Sequence, residues 1–446
     1  MHGALLVIFY LLASPKAKGK GRQRYDPKVR NREQQKKIDD PKPNVPLEPP
    51  PLLTDATGPF PTYFTCRHTY EDALMDELTK KIQSLEISSP LPGLVRVEQY
   101  KPMEDLIDPV YALQVLPECR ILQVNESIKG LARAVTEIPE FQHQLMNTPR
   151  DSLSIHALVP GMMKGQKNPN LQRRALLLAE ATREILSSLY KATRRKDQYQ
   201  QEEKATIEEK EKEDEDPWLL QLMLFSPDVV AASLTQCRRI QNFPNCRWPN
   251  RHYPLGLANV DIDFPMPSSA YRKLLEAFAC WGTKPSRGQV VVDLGASPGG
   301  WTAALIHICQ CRSIIAVDRS EMDVRMKNNL LVTFVAGDAF AYQPHLSPSV
   351  DWMMSDIIAY PERMIGLLDK WCSGHWAKHM IVTIKFQGST PNWDALHTAI
   401  EVVQSHGYYA RAKHFFNNKN EVTLMIQGKE PLIETSRGIK PIYPIG

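Results

Sequence analysis

Residues 292–302 read Val292, Asp293, Leu294, Gly295, Ala296, Ser297, Pro298, Gly299, Gly300, Trp301, Thr302. A β-branched run (290–292) enters a glycine-rich turn, and a helical stretch (302–306) leaves it. Glycine lets a backbone approach a ligand closely and take φ > 0. In a parallel sheet, ligands bind beyond the carboxyl ends of the strands, where such a turn falls. Asp318 ends the next apolar run, Asp338 follows the third and Asp356 ends the fourth. An acid at the second strand end suits ribose hydroxyls, and one after the third can accept from an adenine amino group. A single acid after a strand is ordinarily a helix cap or turn residue. Three in succession line one sheet edge and point to a nucleoside cofactor. The dinucleotide fingerprint is G-x-G-x-x-G. Here the spacing is G-x-x-x-G-G, which argues against NAD and for S-adenosylmethionine (SAM). The expected cofactor-binding residues are Asp293, Gly295, Ser297, Pro298, Gly299, Gly300, Trp301, Asp318, Asp338 and Asp356.

Three further charges call for partners. Lys385 ends a fifth apolar run (380–384), where a buried charge needs an opposite one, and Asp356 can supply it. Glu421 opens the last strand, and Lys273 lies in an apolar helical stretch before the first. Read separately, these are a snorkelling lysine, an edge glutamate and a surface charge.

Taken together, Lys273, Asp356, Lys385 and Glu421 resemble the Lys-Asp-Lys-Glu tetrad of the FtsJ-type ribose 2′-O-methyltransferases. The segments 293–302, 355–356, 384–385 and 421–424 are similar to that family. The likeness is closest to its bacterial RlmM branch, the large-subunit rRNA cytidine 2′-O-methyltransferases. Residues 264–268, 272–278 and 254–256 resemble that branch too. The resemblance spans roughly 63–427 and is strongest from Pro254 onward. It implies SAM as methyl donor, with no metal, and RNA as partner. Lys385 is then the general base, its proton loosened by burial and by cationic Lys273, with Asp356 orienting it and Glu421 completing the network. It also implies a ferredoxin-like piece and a THUMP RNA-binding domain before the catalytic one. The chain departs from the pattern at an acidic run, at residues 1–61, and at Ala270 and Tyr271, where smaller hydroxyl residues are expected.

The elements that must position these groups follow from periodicity. Apolar runs at 290–292, 314–317, 332–335, 350–354 and 380–384 alternate with helical stretches. Strands apolar on both faces and joined by helices predict a parallel sheet covered on both sides. Runs at 408–414 and 421–427 predict a closing antiparallel hairpin. The expected fold is α/β, a Rossmann-like SAM-dependent methyltransferase over 254–430. An α+β RNA-binding region over 63–253 precedes it, and residues 431–446 form a tail. Within that region, 70–82 and 170–195 read as helices, the latter with Leu171, Leu178, Ile185 and Leu189 inward. Residues 94–97, 111–115 and 218–225 read as strands.

The chain has 446 residues and a formal net charge of +4, which sums unlike parts. Residues 1–38 hold ten Lys/Arg and two Asp/Glu, whereas 196–216 hold four and ten. The first segment begins apolar (4–12) and turns basic, which suits an organelle-targeting leader for plastid or mitochondrion, with a cytoplasmic RNA-touching tail as the alternative. Residues 39–62 are a proline-rich linker, and the acidic run is expected to be a disordered insertion. Eight cysteines without a C-x-x-C pair exclude a disulfide scaffold and a cysteine-rich zinc site. The apolar run is too short to span a bilayer, and no stable membrane association is expected. RNA contacts are expected at Lys164, Lys167, Arg173 and Arg174, at Lys191, Arg194 and Arg195, and at Arg238, Arg239, Arg247 and Arg251 with Trp248, His252 and Tyr253. The function expected is 2′-O-ribose methylation of large-subunit rRNA before full subunit assembly. An mRNA-cap or tRNA 2′-O-methyltransferase and a non-catalytic rRNA-binding assembly factor are the alternatives. The target nucleotide and the oligomeric state are unknown from sequence.

Overall fold

The computed structural model describes residues 60–82, 86–98, 100, 107–124, 127–160, 168–197, 216–344, 350–388 and 390–428. The expected leader, almost all of the linker and the acidic run, the tail, and Lys164 and Lys167 lie outside the described residues. So do the side chains of Arg194 and Arg195.

Seven strands form the sheet that carries the site: β1 (Val290–Leu294), β2 (Ser313–Asp318), β3 (Val332–Ala336), β4 (Val350–Ser355), β5 (Ala377–Lys385), β6 (Tyr408–Lys413) and β7 (Glu421–Gly428). Their order is β3-β2-β1-β4-β5-β7-β6. The first five pair in parallel, and β7 runs antiparallel to both β5 and β6. The expected parallel sheet with a closing hairpin is therefore present. Sequence order reverses between β1 and β4, so a crevice opens beyond Leu294 and Ser355. Most of these strands are buried on both faces, as their unbroken apolar runs require. β3 departs from that expectation: its five residues are all half-exposed or exposed. It is the sheet edge, and the single turn before it (Val324–Lys327) is too short to cover it.

Four helices frame the sheet: α1 (Tyr271–Trp281), α2 (Gly300–Ala304), α3 (Pro361–Ser373) and α4 (Trp393–Ser405). The helix expected at 302–306 starts at Gly300 instead and passes into a π turn over Leu305–Cys309. α1 ends at Gly282, whose φ of 69° is the left-handed conformation of a helix C-cap.

The preceding segment is α+β. One antiparallel sheet orders Ile87–Leu91, Leu94–Val97, Thr62–Thr65 and Gln114–Leu116, with helix Glu71–Lys81. A second orders Arg120–Gln123, Val229–Gln236, Trp218–Leu224 and Leu153–Leu158, the last two in parallel. In the long helix Pro169–Asp197, Leu171, Leu178 and Leu186 face inward, while Leu189 is 38% exposed. Leu189 lies seven residues after Thr182 and eleven after Leu178, on that same face near the helix end, so its exposure does not come from a change of face.

The strand expected at 111–115 begins only at Gln114. Buried Glu77 takes the backbone N–H groups of Val110 (2.6 Å) and Tyr111 (3.0 Å), which diverts them from any ladder. Residues 107–113 instead wedge against β6. Asp108 accepts from Arg411 Nε at 2.7 Å and pairs with Lys413 Nζ at 2.5 Å. His414 N–H donates to the Val110 carbonyl.

Candidate active site

β1 delivers the chain into the glycine turn, and backbone bonds moor that turn to β2. The N–H groups of Gly295 and Ala296 both donate to the Val317 carbonyl. Gly295 and Gly299 have φ of 77° and 113°, which a side chain rarely tolerates. A Cβ on Gly300 would meet Ser268 Oγ at 2.2 Å, so a larger residue there would have to displace the Ser268 hydroxyl. Asp318 accepts from Ser297 N–H (3.0 Å) on one oxygen and Ser320 N–H (2.7 Å) on the other. Each oxygen keeps a lone pair for a ribose hydroxyl. Asp338 accepts from Phe340 N–H (3.0 Å) and pairs with Arg319, and these hold its carboxyl below the usual range. Beside it, a Cβ on Gly337 would meet nothing within 4 Å, which leaves open space at the strand end. Acceptors on successive strand ends, a permissive turn and this opening fit a nucleoside ligand.

Two expected cofactor residues point elsewhere. Trp301 is 3% exposed and donates its indole N–H to the Ala270 carbonyl at 2.9 Å, locking α2 to the start of α1. Asp293 is 1% exposed beneath the turn, where Thr302 Oγ1 donates to it at 2.6 Å. Burial pushes its carboxyl up to about 7, and the charges of Asp356 and Asp318 add to the rise. A carboxyl raised in the fold favours folding below its unfolded pKa and loses that contribution as pH climbs through the folded value. Asp293→Asn keeps an acceptor for Thr302 and removes the titration. Thermal midpoints of the two proteins should agree near pH 4. The variant should gain up to roughly 4 kcal/mol by pH 8, and parallel melting curves would disprove this.

Beyond β4 and β5, four charges converge. Lys273 Nζ, reaching in from α1, donates to both Asp356 oxygens (2.8 and 2.6 Å) and to Glu421 at 3.0 Å. Lys385 Nζ lies 3.0 Å from Asp356 Oδ1 and 3.8 Å from Glu421, and donates to the Asp356 carbonyl at 2.9 Å. Lys385 and Glu421 are cross-strand partners in the β5–β7 register. Two lysines and two acidic side chains thus meet in a largely buried quartet. The lysines differ in access: the Lys273 side chain is 9% exposed and that of Lys385 21%. Lys385 is the one that a substrate can reach.

Thr383 was not expected here. Its hydroxyl is fully buried on β5 and donates to Asp356 Oδ1 at 2.7 Å. A hydroxyl two residues before Lys385 in an otherwise aliphatic run lies on the same strand face and was the available signal. A hydrogen bond to a charged group contributes about 1.5–3 kcal/mol. Thr383→Val should therefore lower kcat about 10- to 100-fold, with KM for the donor unchanged; an unaltered kcat would remove Thr383 from the site.

Three members of the expected basic-aromatic patch are engaged within the fold. Trp248 is 2% exposed, and its indole donates to the Ile107 carbonyl. Arg247 pairs with Asp216 and donates to the Cys237 carbonyl, and Arg251 donates to the Asp151 carbonyl. These groups tie elements together rather than present a stacking face. Among the described residues, no group of three or more His, Cys, Asp or Glu is placed to hold a metal ion, and no helix is long and apolar enough to cross a membrane.

Residues 266–403 match the FtsJ-like methyltransferase family. The chain contains an FtsJ-like methyltransferase domain. The methyltransferase family implies SAM as its cofactor, and the nucleoside-fitting edge lies within the matched residues. Ribosomal RNA large subunit methyltransferase M of Marinomonas sp. (strain MWYL1) is 28% identical over 188 residues, 40% of this chain and 53% of that protein. The protein of the same name in Mannheimia succiniciproducens is 25% identical over 206 residues, 42% of this chain and 56% of the relative. The chain spans about half the length of the curated relatives it matches. Among solved structures, TrmN from Thermus thermophilus aligns over 83% of this chain and 99% of its own at 14% identity, with a TM-score of 0.27. The strand order β3-β2-β1-β4-β5-β7-β6 is what defines the fold.

Proposed function

We propose that the protein methylates a ribose 2′-hydroxyl of RNA, with large-subunit rRNA as substrate. The observation that carries this reading is the quartet of Lys273, Asp356, Lys385 and Glu421 beside the glycine turn. A ribose hydroxyl is a poor nucleophile at neutral pH and must lose its proton as it attacks. Lys385 is the accessible amine and takes that proton. Lys273 holds both carboxylates from beneath, and Asp356, steadied by Thr383, aims the Lys385 amine. Asp318 and Asp338 hold the nucleoside of the donor, with Gly295, Ser297, Pro298, Gly299 and Gly300 shaping the turn around it. Bound SAM supplies a methyl group already activated by its sulfonium. The 63–253 region serves as the RNA-binding, THUMP-like part, and the similar bacterial proteins are named as methyltransferases of large-subunit ribosomal RNA.

The test incubates the protein with labelled SAM and either naked or assembled rRNA and maps the methylated positions. Label on ribose 2′-oxygens of naked rRNA is expected. Label on base nitrogens or carbons would overturn the reaction class, and label confined to tRNA or capped mRNA would overturn the substrate.

A further inference from the structure

Away from the quartet, the far end of α1 carries a second chemical arrangement. Arg411 Nη1 donates to Cys280 Sγ at 2.9 Å. The Cys246 thiol donates to the Cys280 carbonyl at 2.9 Å, which places it beside that residue. Arg411 is 1% exposed and is aimed by Asp108 through its Nε, while its Nη2 has no hydrogen-bond partner among the described residues. Cys280 and Arg411 both line one narrow cavity of about 20 Å³, together with Tyr253, Glu276 and Lys413. That volume is about what one water-sized molecule requires.

We infer that Cys280 is a peroxide-reactive thiol, with Arg411 as its anion-stabilising partner and Cys246 as its resolving cysteine. Thiolate character is what makes a cysteine reactive, and adjacent cations create it. The neighbouring Cys246 thiol, then the Arg411 and Lys413 charges, draw the Cys280 thiol down against the opposing effects of burial and Asp108. Glu276 and Tyr253 also face it, and burial pushes both of their pKa values up, which disfavours their anionic forms. Burial likewise pushes the thiols of Cys119, Cys237 and Cys372 up, so they stay inert. The unpaired Nη2 supplies a donor for a small oxygen compound in the cavity.

The chemistry balances with hydrogen peroxide as oxidant. The Cys280 thiolate attacks one peroxide oxygen, the O–O bond breaks, and hydroxide leaves, to become water with a proton from solvent. Cys280 is then a sulfenic acid, oxidised by two electrons as the peroxide is reduced. The Cys246 sulfur displaces its hydroxyl, forming a disulfide and a second water. Cys280 lies two turns beyond Lys273 on the same helix.

The test treats the full-length protein at about pH 7 with a small excess of hydrogen peroxide and maps every cysteine by mass spectrometry. A Cys246–Cys280 disulfide is expected, formed at least about tenfold faster than oxidation of Cys372 or Cys119 in the same sample. In Cys246→Ser, dimedone should trap a sulfenic acid on Cys280. In Cys280→Ser, Cys246 should stay reduced. Oxidation of Cys280 no faster than of Cys372 in the wild-type protein would overturn the assignment whatever the variants do, and a dimedone adduct on Cys246 rather than Cys280 would overturn the division of roles. These readouts involve no methyl transfer and stand apart from the proposed function.

Discussion

Lys385→Arg should abolish methyl transfer while leaving donor binding and folding intact. Arginine keeps the positive charge and can pair with Asp356 and Glu421, as Lys385 does at 3.0 and 3.8 Å. It cannot release a proton at any accessible pH. The substitution therefore separates a base from a mere counter-charge. General-base catalysis supplies roughly 10²- to 10⁴-fold, and kcat should fall by that factor with little change in the affinity for SAM measured by calorimetry. Lys385→Ala should lose at least as much. Full activity in the arginine variant would show that charge pairing is all Lys385 contributes, and the base would have to be sought elsewhere. Lys273→Arg offers a contrast. Its amine bonds three carboxylate oxygens in a site with little space, so the bulkier fork should disturb the quartet and lower stability as well as activity.

The largest effect on stability is expected at Asp108. Asp108 and Arg411 are fully buried and Lys413 almost so, and the three charges answer one another. Removing one partner of a buried pair strands the others, at a cost of about 3–5 kcal/mol. Asp108→Asn should lose that much in urea unfolding, through a lower midpoint at unchanged slope. Asp108→Leu with Arg411→Met and Lys413→Met should recover most of it, since apolar groups of similar volume replace buried ions at little cost. A pH titration gives an independent check. Burial raises the Asp108 carboxyl, but Arg411 and Lys413 outweigh it and the net direction is down. A carboxyl depressed in the fold contributes its stability above its unfolded pKa and loses it as pH falls through the folded value. Wild-type stability should thus decline in acid more steeply than that of the triple variant. Identical acid profiles would remove the ion cluster from the account.

The sheet was legible because buried parallel strands must be apolar on both faces, and runs such as 290–292 and 380–384 are short and rich in β-branched residues. The acids and lysine at the strand ends were legible because a charge closing such a run has to be functional or paired. What one chain could not disclose was direction. Asp293 and Trp301 flank the glycine turn in sequence, yet one lies beneath it and the other faces α1. Nothing in their spacing distinguishes those orientations from an outward one. Trp248 among arginines has the composition of an RNA surface, but tertiary packing takes the indole into the core. Thr383 was hidden by β-propensity, which offers a sufficient reason for a threonine in a strand. Asp108 could not be singled out from sequence because its partners lie more than 300 residues away.

That separation has a consequence for the order in which the protein is made. The wedge at 107–113 is held by β6, the penultimate strand, through bonds spanning 303 and 304 residues. At ribosomal speeds of 5–20 residues per second, Asp108 leaves the tunnel roughly 15–60 s before Arg411 exists. For that interval a carboxylate destined for the interior stays in water, and the joint between the first sheet and the hairpin remains open. A nascent chain stalled short of β6 is thus a different molecule from the finished one: its early segments are synthesised but unlatched, and presented to chaperones and proteases until the last strands arrive.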